Sequence, residues 1–261
     1  MKYFKLLRRC AGIWIMRDLA YKYDFLIKTI SVVFSDLIGP LVTLFIYNTT
    51  SGLPGWTFSQ LMLFQGTLIL VMGLARTSAF TLSWWVLDAI NEGEFDQYLL
   101  KPYPTLLYLL ALTTDHYGIA EIIVGLAIVI HSAMQIGIPF FTLATLAYII
   151  LVIAGYFVHL SANIIISSMG FIAVKSEALE FLYSKITDFA RYPLNVYGTG
   201  IRFALTFLFP IAVSSFYPAQ ALISGVTAKM LLITLLPVAA FFIASLMLWR
   251  HAIKSYSSAG G

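Results

Sequence analysis

The sequence predicts an all-α membrane protein with six transmembrane helices, and three observations carry that expectation. First, 60% of its 261 residues are hydrophobic and only 11% are charged, where a soluble domain carries roughly 25% charged residues. Second, apolar runs of bilayer length alternate with short polar turns, so residues 1–261 read as a single membrane domain. Third, the basic residues are unevenly spread. Lys2, Lys5, Arg8, Arg9, Arg17 and Lys22 crowd the N-terminal segment and Arg250 and Lys254 the tail, whereas the turns Asn48–Thr57 and Gln135–Pro139 contain none. The positive-inside bias then puts both termini in the cytosol and those two turns outside. The net charge of +4 sits beside membrane spans and implies no nucleic acid. A single cysteine, Cys10, excludes an internal disulfide and any Cys-rich metal site.

Residues 1–24 are expected to form an amphipathic helix on the inner membrane surface. Phe4, Leu7, Ala11 and Trp14 share one face at helical spacing while Lys5, Arg8 and Arg9 cover the other, a pattern suited to anionic membrane lipid. The apolar stretch Gly12–Met16 is too short for a cleavable signal and runs straight into Arg17 and Asp18. The first span is expected over Phe25–Tyr47, with Lys28 near its inner boundary, Asp36 near mid-depth and a kink at Gly39-Pro40. The second covers Phe58–Leu82. Its Gly66 and Gly73, seven residues apart, define a face that a neighbouring helix can approach closely. Arg76 lies near its inner end, and Trp84-Trp85 marks the interface.

The most polar stretch between two apolar segments follows at 91–104. It carries Glu92, Glu94 and Asp96, with Gly93 allowing a turn and Pro102 and Pro104 ending the element. A short helix over Glu94–Leu100 would place Phe95, Leu99 and Leu100 on one side and the acids on the other. It reads either as a loop that solvates a turn or as a knob on which a soluble partner pushes.

The third helix is expected over Thr105–Met134, long enough that Asp115 and His116 fall at or below the inner headgroups. Ala111, Gly118 and Gly125 give it a second seven-residue face of small side chains. The fourth span covers Phe140–Ser168. Residues 172–192 then carry Lys175, Glu177, Glu180, Lys185, Asp188 and Arg191. That segment is either a fifth span crossing inside the protein or a cytosolic amphipathic helix that leaves Ile201–Tyr217 as the fifth span. Residues 195–227, apolar but broken by Gly198, Gly200, Pro210, Pro218 and Gly225, resemble a re-entrant hairpin at the outer face and favour the first. The last span is expected over Lys229–Trp249.

Catalytic frames are scarce. His116, His131, His159 and His251 stand apart without metal-ligand spacing. Ser167-Ser168-Met169-Gly170 lacks the flanking glycines of a serine nucleophile turn, and no Gly-Lys dipeptide forms a phosphate-binding loop. No cofactor or metal site is expected, and any nucleotide must be bound by another chain. The candidate intramembrane polar residues are Asp36 and Glu121. With the charges of 175–191 they form an ion relay, pair with each other, or face an aqueous gap between two subunits.

Several stretches together carry a family resemblance. These are the basic amphipathic start, Glu94-Phe95-Asp96-Gln97-Tyr98-Leu99-Leu100-Lys101-Pro102, Arg191-Tyr192-Pro193-Leu194-Asn195-Val196-Tyr197, Phe209-Pro210-Ile211-Ala212, Tyr217-Pro218-Ala219 and the ending Tyr256-Ser257-Ser258-Ala259-Gly260. In order and spacing the chain resembles the ABC-2 class of ABC transporter permeases, closest to the small half-size bacterial subgroup. The resemblance implies six spans in the bacterial inner membrane and a coupling helix between spans two and three that docks into an ATPase. Here that element is carried by Glu92, Gly93, Glu94, Phe95, Asp96, Leu99, Leu100 and Pro102. It also implies a re-entrant hairpin between spans five and six, matching 195–227 with Pro193, Gly200, Pro210 and Pro218. Two copies of an ATPase subunit would bind the ATP and Mg, and a second permease chain, identical or homologous, would complete an exporter. The alternative is an ion-coupled carrier acting alone through Asp36 and the charges at 175–191; an intramembrane enzyme is remote. The apolar, aromatic-rich chain suits amphipathic cargo such as lipids, peptides or drugs.

Overall fold

Helix α1 (Lys2–Ala20) opens the chain as the amphipathic pattern requires. A computed structural model describes residues 2–172 and 177–256, and among them every regular element is helical. Lys175 and the terminal Ser257-Ser258-Ala259-Gly260 lie outside the described residues. The chain also holds α1 by specific contacts. Trp14 meets Trp85 edge to face at 6.4 Å, the Arg17 guanidinium sits 4.0 Å above the Trp14 ring, and Asp18 pairs with His116 at 2.9 Å.

Helix α2 (Lys22–Thr49) runs through Pro40 as one element, with Ile27, Ile30, Phe34 and Phe45 projecting outward. Helix α3 (Phe58–Arg76) begins at a reciprocal cap, in which Thr57 accepts from the Gln60 amide and the Gln60 side chain accepts from the Thr57 amide. The expected second span does not continue unbroken to Leu82. It turns at residues 77–79 and resumes as α4 (Phe80–Asn91). After the short α5 (Asp96–Leu99), the expected third helix is likewise two helices, α6 (Thr105–Leu112) and α7 (Tyr117–Ile136). The two breaks meet. The Asp115 amide donates to the Thr77 carbonyl at 3.0 Å, and the Asp115 carboxylate caps the Tyr117 amide at 3.0 Å. The freed Thr77 carbonyl, Asp115 amide and Tyr117 amide thus find partners in the other break or in a cap.

Helix α8 (Leu143–Gly170) is the most enclosed of the long helices, and α9 (Glu177–Asp188), α10 (Thr199–Phe203), α11 (Phe216–Ser224) and α12 (Ala228–Ala252) complete the chain. Five helical stretches are long and apolar enough to cross a bilayer: Lys22–Thr49, Phe58–Asn91, Tyr117–Ile136, Leu143–Gly170 and Ala228–Ser255. Among the described residues the charged segment supplies the 12-residue α9, too short alone to span. It nonetheless climbs the bundle. Tyr183 is hydrogen-bonded to His159 midway along α8, Gln65 donates to the Arg191 carbonyl at 3.1 Å, and Trp56 at the head of α3 donates to Asn195 at 3.2 Å. From there the chain turns back inward through α10 and a single π turn, Ala204–Leu208. At its deepest point Ser214 bonds His159 Nε2 at 3.0 Å, before α11 returns to the Trp56 end.

The packing between α3 and α7 follows from their glycines. A methyl group added at Gly118 would lie 2.4 Å from the Gly73 carbonyl oxygen, and one at Gly125 2.5 Å from the Leu70 amide nitrogen. The backbones are in direct contact, the arrangement that small residues at seven-residue spacing permit. Cores lie at both ends of the bundle, one around Trp56, Phe64 and Tyr148 and one around Leu82, Phe95 and Trp249, with a third where the returning hairpin meets α8.

Candidate functional site

Two places concentrate the candidate residues. The first is the acidic element. Glu92 ends α4, Gly93 takes a left-handed φ of +73° that a side chain would resist, and the Glu94 amide donates back to the Ala89 carbonyl at 2.8 Å. The chain is thereby folded tightly against α4. The helix proper is a single turn, Asp96–Leu99, shorter than the expected Glu94–Leu100. Phe95 and Leu99 differ in burial. Phe95 is 0% exposed, its ring 4.8 Å from Phe171 at the end of α8 and 5.2 Å from Tyr256 after α12. Tyr98 is also buried, its hydroxyl accepting from Trp85 Nε1 at 2.8 Å. Leu100 is 85% exposed and Leu99 41%, beside the exposed Glu92 and Glu94 and the exposed Pro102. An acidic, leucine-tipped surface is therefore mounted on an aromatic root that reaches α4, α8 and the end of α12. The root was missed in sequence because Phe171, Trp249 and Tyr256 lie far along the chain from residue 95.

The second place is the polar centre of the bundle. Glu121 on α7 is 0% exposed, and its Oε1 lies 2.5 Å from Arg76 Nε on α3. Asp36 on α2 lies close by, bordering the same cavity as Arg76. The remaining oxygens, Asp36 Oδ2 and Glu121 Oε2, are buried without a donor. Glu121 is thus paired with Arg76, a partner outside the set of Asp36 and the charges of 175–191 that the sequence suggests. A signal for it existed. Arg76 and Glu121 each lie three residues beyond the glycines, Gly73 and Gly118, that seat the two helices on each other. Beside this centre opens a cavity of about 770 Å³, walled by α2, α3, α8 and α9.

The hairpin residues are dispersed by comparison. Pro193, Pro210 and Pro218 are buried at turns or within α11, while Gly200 is exposed with nothing near its Cα. The histidines serve local needs. His159 is enclosed between Tyr183 and Ser214, and His116 is tied to Asp18. Ser167 and Ser168 donate to carbonyls one turn back in α8, which leaves neither hydroxyl near a base. Among the described residues no cluster of three or more His, Cys, Asp or Glu could hold a metal ion. Outside the spanning helices, burial pushes the Asp115 carboxyl above its ordinary range despite the Tyr117 amide that it accepts from.

Residues 34–260 match a family model described as ABC-2 family transporter protein. No curated protein matches the chain. No solved structure matches it.

Proposed function

The chain belongs to the ABC-2 family of transporter proteins, and on that premise we propose that it is the membrane-spanning permease half of an ATP-driven exporter, pushed by a separate ATPase at the acidic element. Membership makes it a multi-pass membrane component of an ABC transporter and implies an ABC ATPase as partner. The single observation that carries the rest is the division of labour around Phe95. A side chain fully enclosed by α4, α8 and the segment after α12 holds a turn whose tip exposes Leu99 and Leu100. A load applied at the tip is transmitted to three spans through a rigid aromatic contact rather than absorbed by a loose loop. Glu92, Glu94 and Asp96 would steer basic groups of the ATPase, fixing orientation more than strength. Coupling further requires that the docked ATPase favour one permease conformation over the other.

In this reading the charged segment from α9 to Asn195 is the fifth of six spans, α10 and α11 form the re-entrant outer hairpin, and both termini face the cytosol of a bacterial inner membrane. Two ATPase copies bind the ATP and Mg, and a second permease, identical or homologous, lies against the outward apolar face of α2, where Ile27, Ile30, Phe34 and Phe45 are exposed among the described residues. The carrier reading through Asp36 and residues 175–191 is disfavoured by family membership, since ABC permeases draw on nucleotide energy. The test is co-purification from native membrane. The intact chain is expected to retain an ATPase subunit, and Leu99→Asp with Leu100→Asp to lose it while keeping its melting temperature. Retention by the double variant would contradict the docking role.

A further inference from the structure

The polar cavity beside Asp36 is more specific than a gap between helices. Its deep wall carries Asp36 and Arg76, with Glu121 directly behind Arg76. The Arg76 Nε is already given to Glu121. The other arginine on the cavity, Arg191, is bonded to Asp188 at 3.0 Å. Glu121 is fully enclosed, and the free oxygens of both carboxyls find no donor. Unmatched negative charge in a low-dielectric surround is costly, so the arrangement is met either by a proton or by a positive partner from outside the chain. The remaining wall is aromatic and apolar, with Phe80 and Tyr183 facing Leu68, Met72 and Ile166. Aromatic faces attract cations, most strongly where water is excluded. At about 770 Å³ the cavity falls within the range that encloses a drug-sized molecule.

We propose that this cavity is a binding site for amphipathic organic cations, with the Asp36 carboxylate facing the positive centre and Phe80 and Tyr183 lining its apolar body. The inference rests on the permease reading only in making such a cation cargo; the binding itself needs neither ATPase nor transport. Asp36 and Glu180 both border the cavity, and Asp36 is the recognising residue because it shares its wall with Arg76 and the Glu121 pair. Glu121 and Arg76 position it.

The test is equilibrium binding of tetraphenylphosphonium to the full chain in nonionic detergent, with tetraphenylborate as the anionic counterpart of the same shape. Saturable binding of the cation, absent for the anion, is expected. Asp36→Asn should weaken it by about tenfold or more, the worth of a charged contact, and Asp36→Glu should retain most of it. Equal uptake of both probes would mean partition into the micelle and would overturn the proposal. Undiminished binding in a folded Asp36→Asn would also overturn it, leaving a proton shared between Asp36 and Glu121 as the occupant. If Asp36→Asn fails to fold, the anion comparison and added salt on the native chain decide: binding unaffected by probe sign counts against the site. Loss of the ATPase in the co-purification experiment would leave these outcomes unchanged, so the two readings fail separately.

Discussion

Arg76 Nε on α3 and Glu121 Oε1 on α7 stand 2.5 Å apart where two helices touch backbone to backbone through Gly73 and Gly118. The pair converts a steric fit into a charged lock, since neither helix can slide without separating the ions. Removing only the guanidinium, as in Arg76→Met, strands a carboxylate that is 0% exposed. Such a loss costs about 3–5 kcal/mol. Arg76→Met combined with Glu121→Leu should recover most of that, because a well-packed apolar pair is often equivalent to a buried ion pair. Thermal unfolding of the four variants in a double-mutant cycle checks this.

The glycine contact gives a sharper prediction about volume. Gly118→Ala would press its methyl 2.4 Å from the Gly73 carbonyl oxygen, so the helices must part. Overpacking of this kind costs about 1–3 kcal/mol. Gly12→Ala in α1 is the control, since nothing lies within 4 Å of the added carbon and helix propensity favours the change. A melting temperature lowered by Gly118→Ala and unchanged or raised by Gly12→Ala is the expected result.

At the root of the acidic element, Phe95→Ala should cost about 3–5 kcal/mol, as for a fully enclosed aromatic side chain. Leu100→Ala should stay within about 0.5 kcal/mol, because that side chain is 85% exposed. Denaturation in detergent distinguishes the two, and reversal of the order would mean the aromatic root is not what holds the tip.

The joint between α6 and α7 should respond to pH. Burial raises the Asp115 carboxyl above its ordinary value of 3.8, so the folded chain holds that proton more firmly than the unfolded one. The stabilisation is full below the ordinary value and is lost as pH rises through the raised, folded value. Asp115→Asn removes the titration but keeps an oxygen to cap Tyr117, and should be at least as stable as the native chain at pH 7. Asp115→Ala loses the cap and should fall by about 1 kcal/mol. Melting curves between about pH 4 and 7 provide the measurement.

Much of this fold was legible because it rests on local periodicity. The seven-residue faces at Gly66 and Gly73 and at Gly118 and Gly125 meet as their spacing required, and turns follow Thr49 and Ile136 in stretches without Lys or Arg. The breaks at residues 77–79 and 113–116 were not legible. Each falls in a short polar run, Arg76-Thr77-Ser78 or Thr113-Thr114-Asp115-His116, flanked by apolar sequence long enough to read as one helix, and each is stabilised by the other through Thr77 and Asp115. Long-range partners were equally hidden. Nothing near residue 95 announces Phe171 or Tyr256, and nothing near His159 announces Tyr183 and Ser214. The acidic element was found by its polarity, but which of its side chains turn outward depended on a helix of one turn instead of two.

The docking claim is tested most directly by a crosslink from the tip. In a Cys10→Ser background, Leu100→Cys provides a single thiol on the exposed end of the element. A thiol-reactive crosslinker applied to inverted membrane vesicles should join that cysteine to an ATPase subunit, in a product lost when Leu99→Asp is added. Labelling of the same cysteine by a membrane-impermeant reagent from the outside of intact cells, with no ATPase adduct formed, would contradict the account.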